Sequence, residues 1–210
     1  GAQELIAQNQ LPDAYLRLTL SRGVGPRGYS PKGADQPVLV MNLHPATRPP
    51  AAPPPCWKLI TASPHLPAGE ALAQFKTCNK LAQVLARAEA DAVGADEALL
   101  LNTDGFVVEA ASSNLFWIEC ATICTPPLAS GILAGVTRTV VLEICHELQL
   151  PTRETLPRPQ DLLQAEGLFL SLSTRGVVEA AELDGRPLRR SPLLPGIRSG
   201  YERLLSAETR

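Results

Sequence analysis

Lys76 is the side chain in this sequence with the best setting for nucleophilic chemistry. A lysine amine attacks a carbonyl group when partial burial or a nearby cation brings its pKa down from about 10.4. Phe75 offers an apolar neighbour, and Lys80 follows one helical turn later as a second cation. Spacing alone favours a solvated lysine, which is the common state of this residue type. Lys58, ahead of an apolar strand, and Lys80 are the alternative nucleophiles.

Glu109 and Asn114 form a second chemical feature, which lies in an apolar setting at the end of a predicted strand. The four residues between them, 110–113, are Ala-Ala-Ser-Ser, and their small size leaves room beside the carboxylate for a flat ring. A carboxylate next to a ring nitrogen keeps that nitrogen protonated, so the ring withdraws electrons more strongly. By residue type alone, a strand glutamate more often faces water.

A glycine-rich segment at 130–138, Ser-Gly-Ile-Leu-Ala-Gly-Val-Thr-Arg, leads into a predicted helix over 137–148. The first amides of a helix have no partners within that helix, and the helix dipole adds partial positive charge at the same end. Both properties suit a dianionic phosphate. Similar helix starts also occur in proteins that bind no phosphate, so this segment by itself indicates only a weak candidate site.

Four blocks of the sequence, at 76–80, 95–102, 109–117 and 130–138, occur in an order and spacing typical of one enzyme family. Their motifs are Lys-Thr-Cys-Asn-Lys, Ala-Asp-Glu-Ala-Leu-Leu-Leu-Asn, a Glu followed by Asn-Leu-Phe-Trp, and the glycine-rich segment. In these motifs the chain resembles fold-type IV pyridoxal-phosphate enzymes. That family includes branched-chain and D-amino-acid transaminases and 4-amino-4-deoxychorismate lyase.

The resemblance implies a cofactor and a set of residues that bind it. Pyridoxal 5'-phosphate would be bound covalently by Lys76, and Glu109 would lie beside its pyridine nitrogen. The first turn of the predicted helix and the loop after a later strand would bind its phosphate. The cofactor-binding residues implied in this way are Lys76, Glu109, Asn114, Val136, Thr137, Ser173 and Thr174.

A loop at 22–30 with three glycines and two arginines is the candidate substrate-binding segment. Glycine lets backbone approach a ligand closely, and the arginine fork binds carboxylates through two parallel hydrogen bonds. A turn with solvated arginines explains the same composition equally well. Because the Arg-Gly-Tyr run resembles the aminodeoxychorismate lyase branch, we predict that Arg27 and Tyr29 bind the substrate.

The sequence predicts a two-domain α+β fold. The predicted parts are the remainder of a small N-terminal α/β domain at 1–48, a proline-rich linker at 49–56, and a larger cofactor-binding domain at 57–210 with a mixed, barrel-like sheet and helices. Proline fixes φ and has no amide donor, which excludes a central strand or helix in the linker. An SH3-type ligand is the alternative for this tract. The family's opening strands and an arginine that binds the phosphate are expected to be absent.

Composition is that of an ordinary globular enzyme. The 210 residues are 45% hydrophobic with a formal net charge of -2 and a pI near 6.0, which gives no electrostatic reason to expect nucleic acid or an anionic membrane as partner. The apolar runs are shorter than the roughly 18 residues of a membrane span, and we expect a cytoplasmic protein. The five cysteines are an odd number, and we expect free thiols and no metal site.

The predicted function is a pyridoxal-phosphate-dependent lyase that converts 4-amino-4-deoxychorismate to 4-aminobenzoate and pyruvate, a reaction of folate biosynthesis. The lyase is preferred because of the Arg-Gly-Tyr and Asn-Leu-Phe-Trp runs, and because 178–181 is Val-Glu-Ala-Ala where transaminases usually have Val-x-Pro-Val. The alternatives are a branched-chain or D-amino-acid transaminase of the same fold, and an inactive homologue without cofactor. The resemblance also implies a homodimer that acts on a small amino substrate.

Overall fold

The computed structural model describes residues 1–46 and 55–208. The chain divides into two compact units, Gly1–Ala52 and Pro53–Arg210. The proline-rich linker predicted at 49–56 lies largely outside the described residues, so it remains a prediction together with the domain limits based on it. The α+β character predicted from the sequence is present, because helices and strands alternate along the second unit.

The first unit consists of a helix and a two-stranded ribbon. Helix α1 (Ala2–Asn9) ends at Gln10, whose left-handed backbone with φ of 54° stops the helix before the ribbon. Strands β1 (Ala14–Ser21) and β2 (Val38–Pro45) pair antiparallel. The alternation of leucines in β1 places them on one side of the ribbon, as the sequence predicts.

The second unit is built on a nine-stranded mixed sheet. The strands are β3 Cys56–Leu66, β4 Glu97–Asn102, β5 Val107–Ala110, β6 Asn114–Glu119, β7 Thr122–Thr125, β8 Thr152–Glu154, β9 Gly167–Leu172, β10 Gly176–Leu183 and β11 Arg186–Pro187. They run in the order β5-β4-β3-β10-β9-β6-β7-β8, and β11 pairs with β10. The pairs β3–β4, β3–β10 and β7–β8 are parallel, and the others are antiparallel.

Four helices complete this unit, and three of them bound two separate core clusters. The helices are α2 Leu81–Val93, α3 Val136–Glu147, α4 Pro159–Gln164 and α5 Leu194–Glu208. Ala86 and Ala90 of α2 pack with Leu100 of β4. Val141 of α3 packs with the stacked rings of Phe116 and Phe169, whose centroids are 4.9 Å apart, and α5 closes the same cluster.

The free thiols expected from the sequence are present as such at all five cysteines. Within residues 1–46 and 55–208, no helix is long and apolar enough to cross a membrane. The same described residues contain no cluster of three or more His, Cys, Asp or Glu side chains that could hold a metal ion.

Candidate active site

The predicted site residues of β5 and β6 meet at Leu133, in the segment before α3. The backbone amide of Leu133 donates to Oε2 of Glu109 at 3.0 Å. Nδ2 of Asn114 donates to the backbone carbonyl of Leu133 at 2.9 Å. Both side chains are buried. Two strands and the start of a helix are therefore connected through a single residue, and Glu109 and Asn114 are brought together as the sequence predicts.

Gly135 allows α3 to begin directly against Asn114. A Cβ atom at this position would lie 2.0 Å from Oδ1 of Asn114, closer than any real contact of that kind, so a larger residue would displace the amide. Gly135 is also the N-cap of α3, and because it has no side chain, it cannot cap the first amides of the helix itself. These amides are therefore available to an anion at the helix start.

Glu109 is 6% exposed, and burial raises the pKa of its carboxyl group above the ordinary value of 4.5. The amide of Leu133 and Nε2 of Gln83, which donates to Oε1 at 3.3 Å, partly oppose the rise in pKa because they stabilise the ionised form. The positive charges of Lys80 and Lys76 act in the same direction. Glu109 thus lies within the electrostatic reach of both lysines.

Lys76 lies in the loop between a 3-10 turn (Ala71–Gln74) and α2. Its side chain is exposed, and Phe75 is 64% exposed, so burial beside Phe75 does not provide the apolar setting suggested by the sequence. Lys80 is the N-cap of α2. The structure thus places two lysines at the start of α2, and the combined positive charge is the part of the sequence argument that the geometry retains.

The predicted phosphate-binding residues belong to two elements. Val136, the first residue of α3, is 77% exposed, and Thr137 behind it is buried. Ser173 and Thr174 are exposed in the turn between β9 and β10. Because Ser171 of β9 pairs directly with Asn114 and the strands are antiparallel, this turn extends toward the residues that precede Asn114. The register thus directs the turn toward the loop at 111–113.

Two buried hydroxyl groups near Asn114 have no hydrogen-bond partner within the described residues. They belong to Ser113 and Ser171, which are 8% and 2% exposed. Buried polar groups are normally paired, so unpaired ones at a candidate site indicate a missing partner. The sequence analysis recognised Ser113 only as a small residue and did not single out Ser171. Its relevance depends on the strand pairing, which spacing along the chain does not reveal.

Glu97 anchors the loop that carries Ser113. It is fully buried at the start of β4, and Oε2 accepts from the backbone amide of Ser112 at 3.2 Å and also from the Ser112 hydroxyl. A buried carboxylate with several donors holds backbone in place strongly. The sequence analysis included Glu97 in a strand motif without assigning it a role.

These groups suit a ligand with a flat ring, a basic nitrogen and an anionic end. Glu109 offers an acceptor for the nitrogen, since each carboxylate oxygen can accept a second hydrogen bond. The amides at the start of α3 and the unpaired hydroxyls of Ser113 and Ser171 offer donors for anionic oxygens. The residues present therefore fit pyridoxal phosphate, with Lys76 in the same neighbourhood.

Arg27 and Tyr29, the predicted substrate-binding residues, lie in the first unit. They occupy the loop between β1 and β2, and both side chains are exposed, Tyr29 completely. Gly28 adopts a φ of 110°, which side-chain-bearing residues rarely tolerate, so this loop depends on glycine at that point. Their role stays a prediction.

Residues 1–183 match the family model described as "Amino-transferase class IV". The chain is 35% identical over 184 residues, 87% of its length, to a Methanocaldococcus jannaschii protein provisionally named as a branched-chain-amino-acid aminotransferase. It is 33% identical over 169 residues, 78% of its length, to the aminodeoxychorismate lyase of Vibrio harveyi. The chain spans 63% and 61% of the lengths of these two relatives.

The fold is also similar to that of solved structures. A branched-chain amino acid aminotransferase from T.th., crystallised with pyridoxamine 5'-phosphate, matches with a TM-score of 0.86 and 26% identity over 98% of this chain and 69% of its own. This similarity confirms the fold class predicted from the sequence. Relatives with both lyase and aminotransferase names occur among the matches.

Proposed function

This chain belongs to the class IV aminotransferase family, and on that basis we propose that it is a pyridoxal-phosphate-dependent 4-amino-4-deoxychorismate lyase. The observation that supports cofactor chemistry is the meeting of Glu109, Asn114 and the start of α3 at Leu133. The Arg-Gly-Tyr run and the lack of a Val-x-Pro-Val motif favour the lyase over an aminotransferase, as does the similarity to the Vibrio enzyme.

When bound, the cofactor supplies an electron sink for negative charge at the substrate carbon next to the amine. Lys76 binds the cofactor covalently and, once freed by the incoming amine, its Nζ removes a proton from that carbon. Glu109 holds a negative charge against the ring nitrogen. The α3 amides, with the hydroxyls of Ser113 and Ser171, receive anionic oxygens. The sequence-predicted residues Ser173 and Thr174 add further donors from the β9–β10 turn.

The lyase reaction balances without any co-reactant. Removal of the proton by Lys76 allows the carbon–oxygen bond to the enolpyruvyl group to break, and pyruvate and 4-aminobenzoate together contain all atoms of the substrate. Formation of the aromatic ring makes this elimination favourable. A transaminase would use the same lysine to return the proton to the cofactor instead, so Lys76 serves both reactions and does not distinguish between them.

The test is to incubate the purified, cofactor-loaded protein with 4-amino-4-deoxychorismate in the absence of any 2-oxo acid. We expect pyruvate and 4-aminobenzoate in equal amounts. The aminotransferase alternative predicts instead that a branched-chain or D-amino acid loses its amine only when 2-oxoglutarate is supplied. Activity of that second kind, with no pyruvate from aminodeoxychorismate, would overturn the lyase assignment and retain the family chemistry.

We also propose that the protein is a cytoplasmic homodimer. The exposed side of α2 carries an apolar stripe, and Leu81, Val84 and Leu85 are 71%, 61% and 50% exposed. These positions recur at helical spacing, opposite the face that packs with β4. Such a stripe is costly in water and is typical of a surface that a second copy covers.

A charge on this stripe is expected to break the dimer. Light scattering after size exclusion should give the mass of two chains for the wild type and of one chain for Val84→Asp. The matched control is Leu205→Asp on α5, because Leu205 is equally an exposed apolar side chain, 50% exposed, on another helix. A wild-type protein that elutes as a monomer would remove the dimer from the proposal.

A further inference from the structure

Gln83 is a polar residue on the face of α2 that packs against the sheet. It precedes Ala86 by three positions and Ala90 by seven, so the three residues share one side of the helix. Both alanines are fully buried, and Gln83 is half-buried. A polar residue at the first position of an otherwise apolar stripe needs a partner there, and the partner is Glu109.

The carboxylate of Glu109 is held by one donor on each oxygen. Gln83 Nε2 donates to Oε1 at 3.3 Å, and the Leu133 amide donates to Oε2 at 3.0 Å. The two donors belong to different elements, α2 and the segment before α3. Two donors in fixed positions restrict rotation of the carboxylate plane, and each oxygen retains the capacity to accept one further hydrogen bond.

We propose that Gln83 is a positioning residue that orients the Glu109 carboxylate for a hydrogen bond to the ring nitrogen of the cofactor. The part that concerns the ring nitrogen rests on the proposed function. The contact between Gln83 and Glu109 does not, since it is made by the protein alone. Gln83 therefore acts through Glu109 and has no chemical step of its own.

The charged groups that act on Glu109 must be considered along with Gln83. Lys80 and Lys76, both at the start of α2, favour the ionised carboxylate by their charge. Neither lysine is altered by a substitution at position 83. Removing the Gln83 donor therefore isolates one hydrogen bond to a carboxylate, and we expect the proton affinity of Glu109 to rise about tenfold.

The experiment is a titration of cofactor-free protein labelled with ¹³C at the glutamate side-chain carboxyl. The Glu109 resonance is identified by its absence from the Glu109→Gln variant. In Gln83→Leu the midpoint of this resonance should move to higher pH than in the wild type. Gln83→Asn retains an amide but shortens its reach, and we expect the same direction of change. The matched control, Gln164→Leu at an exposed position of α4, should leave the midpoint unchanged.

A melting curve of each variant separates positioning from general damage to the fold. We expect the melting temperature of Gln83→Leu to remain within a few degrees of the wild type while the midpoint shifts. An unchanged Glu109 midpoint in both Gln83 variants would overturn the proposal.

Adding pyridoxal phosphate to the same samples tests the connection to the cofactor. Gln83→Leu should bind it about tenfold more weakly than Gln164→Leu, with an altered absorption spectrum. A shifted midpoint with normal cofactor binding and spectrum would contradict the assignment to the ring nitrogen. If the wild type itself binds no cofactor, the proposed function fails, and the titration still decides whether Gln83 controls Glu109.

Discussion

Replacing Lys76 with alanine is expected to abolish turnover, with a fall of at least about 10⁴-fold in kcat, because the same amine binds the cofactor and transfers the proton. The measurement is an absorption spectrum of protein with pyridoxal phosphate, recorded before and after borohydride. The wild type should show an absorption band that borohydride converts to a stable reduced product, and Lys76→Ala should show none.

Lys58→Ala and Lys80→Ala are the matched controls, since these residues are the other two candidate nucleophiles. Both variants should retain the band and its response to borohydride. Lys58 lies in β3 with an exposed side chain, so its loss should change little. Loss of the band in Lys80→Ala alone would transfer the nucleophilic role to Lys80. Absence of a band in the wild type would favour the inactive homologue over either enzyme.

Glu109→Ala is expected to lower kcat/KM by roughly 10² to 10³-fold, the usual cost of removing one preorganised electrostatic group from an active site. Without the carboxylate the ring nitrogen loses its negative partner and the ring becomes a weaker electron sink. Glu109→Gln should be nearly as inactive, because an amide fills the space without the charge. Steady-state kinetics with 4-amino-4-deoxychorismate measures both variants, and Glu119→Gln at the end of β6 is the control. Near-normal activity in Glu109→Gln would refute the role of the charge.

The same substitution should have the opposite effect on stability. Burial raises the pKa of Glu109 above 4.5, so the folded protein holds the proton at a pH where the unfolded chain has lost it. The folded state binds more protons in that range, and the free energy of unfolding therefore falls as the pH rises through it. Cofactor-free Glu109→Gln should melt at a higher temperature than the wild type at neutral pH. The difference should diminish well below pH 4.5, where both side chains are neutral.

Much of the second unit can be predicted from local pattern. The helix predicted from residue 79 to residue 92 is α2 at Leu81–Val93, and the strand predicted at 97–101 is β4 at Glu97–Asn102. The helix predicted at 137–148 is α3, at Val136–Glu147. These elements have strong helical composition or continuous apolar runs, and their limits are set by neighbouring residues such as Gly94 and Gly135.

The sequence by itself determined which residue types are present for chemistry at Lys76, Glu109 and the start of α3, because these lie in short motifs with fixed spacing. Only the tertiary structure decided what surrounds them. Gln83 reaches Glu109 across 26 positions, and Ser171 pairs with Asn114 across an even longer separation. Such contacts depend on helix docking and strand register, which arise when distant apolar faces are buried together. Local spacing carries no record of that choice.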